Sequence, residues 1–130
     1  MYNATVTRLF QQPYHQGVPA EYAAVGQAGA PGEGPFLTVY LSVEGERIVS
    51  AHFVTYGCPS AVACGSFVCG WAEGKTLPRA SALDADSLMT VLGGLPLGKE
   101  HAAQLAITAL RRAVEQIVSG RAETPEEQRR

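Results

Sequence analysis

Two alternating apolar segments separated by a turn constrain the fold of this chain more than any other feature. In Phe36–Val43 every second residue is a branched aliphatic, which places these side chains on one face of a strand. Arg47–Tyr56 is a second run rich in β-branched and aromatic residues, and Glu44-Gly45-Glu46 between the two runs is typical of a turn. The chain is therefore predicted to contain a β-hairpin with one dry face.

The register of this hairpin follows from the requirement that one face stay apolar. A two-residue turn would set the aliphatic side chains of the first strand against Ile48, Ser50 and His52, whereas a three-residue connection keeps a single dry face. We therefore predict the three-residue connection, which leaves His52 on the other face beside Tyr40 and Val54. The predicted opposite pairs are Leu41 with Val49, Val39 with Ala51, and Leu37 with Phe53.

The second half of the chain is predicted to be helical. Pro59–Glu73 begins with proline, which suits the first position of a helix, and Gly74 follows as a natural left-handed end. Asp84 is predicted to cap a short helix that runs through Leu92 and stops at Gly93-Gly94. A further short helix over Ala4–Gln11 is predicted near the N-terminus, with Asn3 as its cap.

The longest predicted helix runs from about Gly98 to Ser119 and ends at Gly120. Its apolar residues follow the 3.6-residue period of an amphipathic helix, so one side is expected to face the core. This stripe consists of Ala102, Leu105, Ala106, Ala109, Leu110, Ala113, Val114, Ile117 and Val118.

Strands followed by helices predict an α+β fold, in which a short antiparallel sheet packs against several helices. A chain of 130 residues is long enough for one hydrophobic core, so a single domain is predicted over residues 1–120. Residues 121–130 are polar and are predicted to form a frayed C-terminal tail.

Composition argues against several classes of function. Ten basic and twelve acidic residues give a formal charge of −2 without a basic stripe, so nucleic acid is not a predicted partner. No segment has the length of a membrane span, and the first residues lack the pattern of a secretory signal. Three cysteines without paired spacing do not suggest a secreted disulfide framework, so the predicted location is cytoplasmic.

Cys58 stands at the junction between the second strand and the helix that follows it. Gly57 precedes it and Pro59 opens the helix, so the thiol is predicted at or beside the helix N-terminus. Unpaired backbone N–H groups and the helix dipole favour a thiolate there, the form that attacks sulfur and binds metals. The alternative is a small buried residue without a chemical role. We predict that any site in this chain is built around Cys58.

Four further segments stand in order along the chain: Phe53–Ala63, Glu73–Leu77, Leu92–Pro96 and Lys99–Ala106. Together they resemble the iron–sulfur cluster scaffold family of IscU, SufU and NifU N-terminal domains. The resemblance extends from about Pro13 to Val118 and implies an edge strand near Tyr22–Gly26, which would give the sheet three strands.

In that family three cysteines hold the cluster, helped by an aspartate and by a histidine beside the third cysteine. The resemblance matches the second cysteine to Cys58 and the histidine to His101. It also shows departures, because Glu33 stands where the first cysteine belongs and Pro35 where the aspartate belongs. Ala102 occupies the position of the third cysteine, so the usual set of thiolate ligands is not intact.

The candidate metal ligands are therefore Cys58, His101, Glu33 and Cys64. Glu33 would supply a harder oxygen donor, which suits zinc or ferrous iron better than an iron–sulfur cluster, or it is simply a solvated loop carboxylate. His101 is a ligand, a proton-handling group or a surface residue. Cys64 lies near the start of its helix and is a substitute ligand, whereas Cys69 is predicted to belong to the core.

The resemblance implies an iron–sulfur cluster assembly scaffold. Such proteins accept persulfide sulfur from a cysteine desulfurase, collect iron, and pass a cluster to acceptor proteins. Cys58 would be the persulfide acceptor, and the bound species would be an iron–sulfur cluster, of the 2Fe–2S type, or zinc. The small number of soft ligands also suggests a cluster shared in a homo-oligomer. The chain is not predicted to be an enzyme.

Two alternatives remain open at this point. In the first, the chain is a binding module that keeps the scaffold fold and regulates the assembly machinery without holding a cluster. In the second, it binds a single zinc or ferrous ion through Cys58, His101 and Glu33.

Overall fold

The computed structural model describes residues 3–11, 15–30, 32, 34–56, 59–94 and 101–122. The helix predicted near the N-terminus is confirmed, as are the two strands of the hairpin and the helix that begins at Pro59. The elements in chain order are α1 (Ala4–Gln11), β1 (Ala24–Ala28), β2 (Phe36–Glu44), β3 (Arg47–Tyr56), α2 (Pro59–Ala72), α3 (Leu77–Ser81), α4 (Ala85–Val91) and α5 (His101–Ala122).

The three strands form one antiparallel sheet in the order β1-β2-β3, which confirms the predicted α+β class. The edge strand expected near Tyr22–Gly26 lies at Ala24–Ala28. At the other end of the chain, α5 continues to Ala122, past the predicted stop at Gly120. Residues 123–130 of the predicted tail lie outside the described residues.

The predicted hairpin register is wrong by two residues. Leu41 pairs with Ala51 instead of Val49, and Val39 pairs with Phe53. The physical reason is an irregularity between Ser42 and Val43, where the ladder skips one residue of β3. The predicted three-residue connection is also wrong, because Glu44 pairs with Arg47 and only Gly45 and Glu46 form the turn. The shorter turn shifts the register by one residue, and the residue skipped in β3 shifts it by one more. Further pairs of this register include Leu37 with Thr55, Ser42 with Ser50, Val43 with Ile48, and Glu44 with Arg47.

This irregularity changes which side chains reach the core. Ile48 is fully buried, whereas Val49, which the predicted register placed in the dry face, is 48% exposed. The prediction for the opposite face is confirmed, since Tyr40 and His52 are cross-strand partners. The sheet thus keeps one apolar face, to which β3 contributes Ile48 instead of Val49.

Helices α2 and α5 cover the apolar face of the sheet, and two glycines allow them to approach closely. A side chain at Gly26 in β1 would overlap the backbone of α5 at Ala109 and Ala113. A side chain at Gly65 in α2 would meet the ring of Phe53, with its Cδ2 atom 2.5 Å away. β1 and α5 therefore meet backbone against backbone at Gly26. At Gly65 the backbone of α2 packs against the ring of Phe53 in β3.

The apolar stripe predicted for α5 is largely confirmed. Most of its residues are buried, but Val118 is 53% exposed. Two residues outside the stripe, Ala103 and Ile107, are buried as well because α5 packs against α2, α3 and α4 in addition to the sheet. A helix with neighbours on several sides buries a wider face than a single stripe.

Both edges of the sheet are occupied by groups from elsewhere in the chain. Along β3, Gly17 and His15 exchange backbone hydrogen bonds with Phe53, and the Glu73 carboxylate accepts from the Ala51 N–H at 3.1 Å. On β1, α5 supplies Gln116, whose side-chain oxygen accepts from the Val25 N–H, and Arg112, which donates to the Gln27 carbonyl at 2.6 Å. These contacts satisfy edge groups that would otherwise recruit a strand from another chain.

The segment between α2 and α5 contains α3, which the sequence reading did not anticipate, and α4, which it did. Asp84 caps α4 as predicted, and the Ser87 backbone N–H that it accepts holds the pKa of its carboxyl below the usual range. The Asn3 side-chain amide donates to the carbonyls of Leu92 and Gly94, which fastens the start of α1 to the end of α4.

Candidate functional site

One end of the sheet brings together the ends of β1 and β3 with the starts of β2, α2 and α5; we call it the site end. Gly29 has φ +77° and packs so closely that a side chain there would overlap the Pro35 carbonyl and the backbone of Phe36. The loop between β1 and β2 is therefore closed tightly at its base. This loop contains Glu33, which lies outside the described residues.

A stacked aromatic pair forms part of the site end. Phe36 and Tyr56 are cross-strand partners whose ring centroids are 6.5 Å apart with an interplanar angle of 13°. Thr55 also joins the two strands at this end of the hairpin, because its hydroxyl donates a hydrogen bond to the Phe36 carbonyl at 2.6 Å. The predicted register set Phe36 against another residue, so sequence reasoning missed this pair. With its register corrected, the alternation of β2 and β3 would have revealed it.

His101 is exposed and is the first residue of α5. It lines a cavity of about 390 Å³ together with Gly29 and Pro35 from the loop between β1 and β2. The structure therefore brings His101 to Gly29 and Pro35, two described residues that flank Glu33 in the sequence. The other residues that line the cavity are Ala28, Gln104, Leu105, Thr108 and Arg112.

A second cavity lies on the aromatic side of the same loop. It has a volume of about 460 Å³ and is lined by Gly32, Gly34, Phe36 and Tyr56. Tyr56 is 69% exposed and stands two residues before Cys58 in the sequence. Cys58 itself lies outside the described residues; in the sequence it stands between Tyr56, the last residue of β3, and Pro59, the first residue of α2.

The other thiols lie in the interior. Cys64 and Cys69 on α2 are fully buried, in agreement with the predicted core role of Cys69. Burial raises the pKa of the Cys69 thiol far above its usual range, and the negative charge of Glu73 adds to this effect. Ala102, at the position of the third ligand in the resemblance, is also fully buried.

The donor set at the site end does not match three thiolates. Among the described residues, which include neither Cys58 nor Glu33, no three histidine, cysteine, aspartate or glutamate side chains are grouped to hold a metal ion. His101 is the one predicted ligand that the described structure places at this end, while the thiol of Cys64 belongs to the core. A cluster held by three cysteines of one chain does not fit these residues.

Native alkylation should modify one cysteine per chain. We expect iodoacetamide at neutral pH to label Cys58 and to leave Cys64 and Cys69 unmodified, because the reagent does not reach a fully buried thiol. Peptide mass spectrometry locates the label, and unfolding in urea should expose all three cysteines. Rapid labelling of Cys64 in the folded protein would contradict the assignment of its thiol to the core.

The fold is that of an α+β domain with a three-stranded antiparallel sheet, and sequence comparison gives the family. Residues 1–123 match the family described as NifU-like N terminal domain. The iron–sulfur cluster assembly scaffold protein IscU 1 of Archaeoglobus fulgidus is 39% identical over 114 residues, which cover 88% of this chain and 74% of that protein. The Escherichia coli scaffold protein IscU is 36% identical over 102 residues, covering 78% and 79%. The chain belongs to the NifU-like N-terminal domain family.

Solved structures show the same fold. A nitrogen-fixing NifU-like protein from Brucella abortus superposes with a TM-score of 0.70 at 18% identity, over 90% of this chain and 94% of that one. A putative iron–sulfur cluster assembly scaffold protein for the SUF system from Fervidobacterium islandicum gives a TM-score of 0.62 at 18% identity, over 88% and 94%. In the described part of this chain, no helix is both long and apolar enough to cross a membrane.

Proposed function

We propose that this chain acts in iron–sulfur cluster assembly as a sulfur-accepting scaffold protein, with Cys58 as the acceptor. Family membership supports the process, since the relatives at 36–39% identity are named cluster assembly scaffold proteins. The burial of Cys64 and Cys69 supports the residue, because Cys58 is the remaining cysteine of the chain. That burial is the observation on which the choice of acceptor rests.

The proposed reaction is transfer of a sulfur atom between two cysteines. The Cys58 thiolate attacks the outer sulfur of a persulfide on the donor protein, a new S–S bond forms at Cys58, and the S–S bond of the donor breaks. The donor cysteine leaves as a thiolate, and the hydrogen on the transferred sulfur moves with it. The helix dipole at the start of α2 favours the thiolate that begins this step.

Iron and the completed cluster are the cargo of this protein. With Glu33 and Ala102 at two of the thiol positions, we propose that one chain does not retain a cluster by itself. The missing donors would come from His101, from a second copy of the chain, or from an acceptor protein. The proposed partners are a cysteine desulfurase and cluster acceptors, in the cytoplasm, and the chain would act as a stoichiometric carrier and not as an enzyme.

A second candidate is a mononuclear zinc or ferrous-iron site. The cavity that His101 shares with Gly29 and Pro35 favours it, because this cavity brings an imidazole to the loop that carries Glu33. With Cys58, the set would offer one sulfur, one nitrogen and one oxygen ligand, which is acceptable zinc chemistry.

One experiment separates these functions. The protein and its Cys58→Ser variant are purified without oxygen, and iron, acid-labile sulfide, zinc and persulfide sulfur are measured per chain. We expect persulfide sulfur on the wild type after incubation with a persulfide donor, at least ten times the amount on Cys58→Ser, because a hydroxyl cannot replace the thiolate nucleophile. Cys64→Ala serves as the matched control, since it removes a buried thiol.

Each outcome decides between the proposals. Zinc at a stoichiometric level, lost in Cys58→Ser and in His101→Ala, would favour the mononuclear site. Protein that takes up neither sulfur nor metal would rule out both and would leave the fold as a binding module for the assembly machinery.

A further inference from the structure

Trp71, near the end of α2, is surrounded by three cations. The Lys75 ammonium lies over the Trp71 ring, 5.2 Å from the ring centroid. Arg8 on α1 shares one cavity with Trp71, and Arg79 on α3 shares another. Among the residues that the structure describes, no acidic side chain forms an ion pair with any of these three cations. Three positive charges therefore surround one aromatic ring in a chain whose formal net charge is −2.

Two cavities are lined by Trp71 and otherwise by different helices. The first has a volume of about 260 Å³ and lies between α1 and α2, where Leu9 and Phe67 make it apolar. Gly70 also lines this cavity, and an added Cβ atom there would meet no atom within 4 Å. The second cavity, of about 290 Å³, lies between Trp71 and the segment that contains α3 and the start of α4. We call Trp71, its two cavities and the three cations the Trp71 surface.

The shape and charge of the Trp71 surface indicate the chemistry of its partner. Separate cavities accept individual apolar side chains, and a helix presents such side chains on one face at every third or fourth position. The cations require an anionic partner, since Asp84 beside the second cavity already accepts the Ser87 N–H at 2.7 Å. A membrane fits less well, because Trp71 is half-buried between its cavities and does not protrude from the surface.

We propose that the Trp71 surface docks an acidic amphipathic helix of a partner protein. One apolar side chain enters each cavity, and carboxylates face Arg8, Lys75 and Arg79; tryptophan and arginine are the residues that most often dominate such interfaces. Trp71 lies about 18 Å along α2 from Pro59, so the Trp71 surface and the site end are at opposite ends of this helix. Docking at this surface does not depend on sulfur acceptance and leaves the site end open.

The fluorescence of Trp71 measures docking directly, because this is the one tryptophan of the chain. The probe is a synthetic peptide of leucine and glutamate, about four helical turns long, with leucine at every third or fourth position. We expect it to change the fluorescence saturably, with a Kd below about 1 mM. A peptide with lysine in place of glutamate, and a scrambled peptide of the same composition, should produce no change.

Variants locate the contacts of the acidic peptide. Arg8→Gln and Arg79→Gln should each weaken its binding about threefold, the effect of losing one partly exposed charge pair. Gly70→Leu should abolish binding, because the new side chain fills the first cavity. Arg112→Gln is the matched control, since it removes one positive charge from α5, outside the Trp71 surface, and should bind as the wild type does. Circular dichroism shows whether each variant is folded.

Several results would overturn the proposal. Equal responses to the acidic and the lysine peptides would mean that charge does not select the partner, and wild-type affinity in folded Gly70→Leu would exclude the first cavity. A fluorescence change with phosphatidylglycerol vesicles, and none with the acidic peptide, would assign the surface to a membrane. A change with protein concentration alone, accompanied by a dimer in sedimentation, would assign it to a second copy of the chain. No response to any probe would exclude a docking role.

Discussion

Gly26→Ala should lower the free energy of unfolding by about 3 kcal/mol, the upper part of the range for overpacking a core. The added methyl group would overlap the carbonyl oxygen of Ala109 and the backbone nitrogen of Ala113 on α5. Backbone atoms have no alternative rotamer, so β1 and α5 would have to move apart. Since a domain of this size is stable by about 5–15 kcal/mol, the loss is a large fraction of the total.

Urea unfolding followed by circular dichroism measures this change. Gly70→Ala is the matched control, because Gly70 lies in α2 with no atom within 4 Å of an added methyl group. That variant should gain about 0.8–1 kcal/mol from helix propensity. Equal midpoints for Gly26→Ala and wild type would show that β1 and α5 are not in backbone contact.

Restoring the family's ligands should convert the chain into one that holds a cluster. The triple variant Glu33→Cys, Pro35→Asp, Ala102→Cys adds the two missing thiolates and the aspartate to the existing candidate ligands Cys58 and His101. Thiolates are the ligands that iron–sulfur clusters prefer, so we expect iron and acid-labile sulfide to rise from near background to a stoichiometric amount. Anaerobic reconstitution followed by iron and sulfide analysis and visible absorption measures the result.

The design includes two further variants and a folding check. Adding Cys58→Ser to the triple variant should abolish cluster retention, whereas adding Cys64→Ala should leave it unchanged because that thiol is buried in the core. Ala102 is fully buried, so circular dichroism must show that the new cysteine is accommodated. A folded triple variant that stays colourless would mean that the site end does not bring these positions together.

Much of the fold could be predicted from the sequence because its signals are local. The two-residue alternation of Phe36–Val43 identified β2, and Pro59 and Asp84 identified the starts of α2 and α4. The hairpin register was predicted wrongly, since the turn is one residue shorter than predicted and one skipped residue in β3 moves every later pair. Such an irregularity depends on how the finished sheet packs, and Val49 carries no local signal that it will face solvent.

The candidate site shows the same division between local and tertiary information. The sequence alone determined that Cys58 precedes a helix, that Glu33 and Ala102 replace thiol ligands, and that the chain is similar to cluster scaffolds. It did so because capping residues, alternation and motifs act over a few neighbours along the chain. Tertiary structure alone decided that Cys64 is buried in the core, which depends on packing between elements distant in sequence. It also decided that His101 meets the loop containing Glu33, that Phe36 stacks on Tyr56, and that two cavities meet at Trp71.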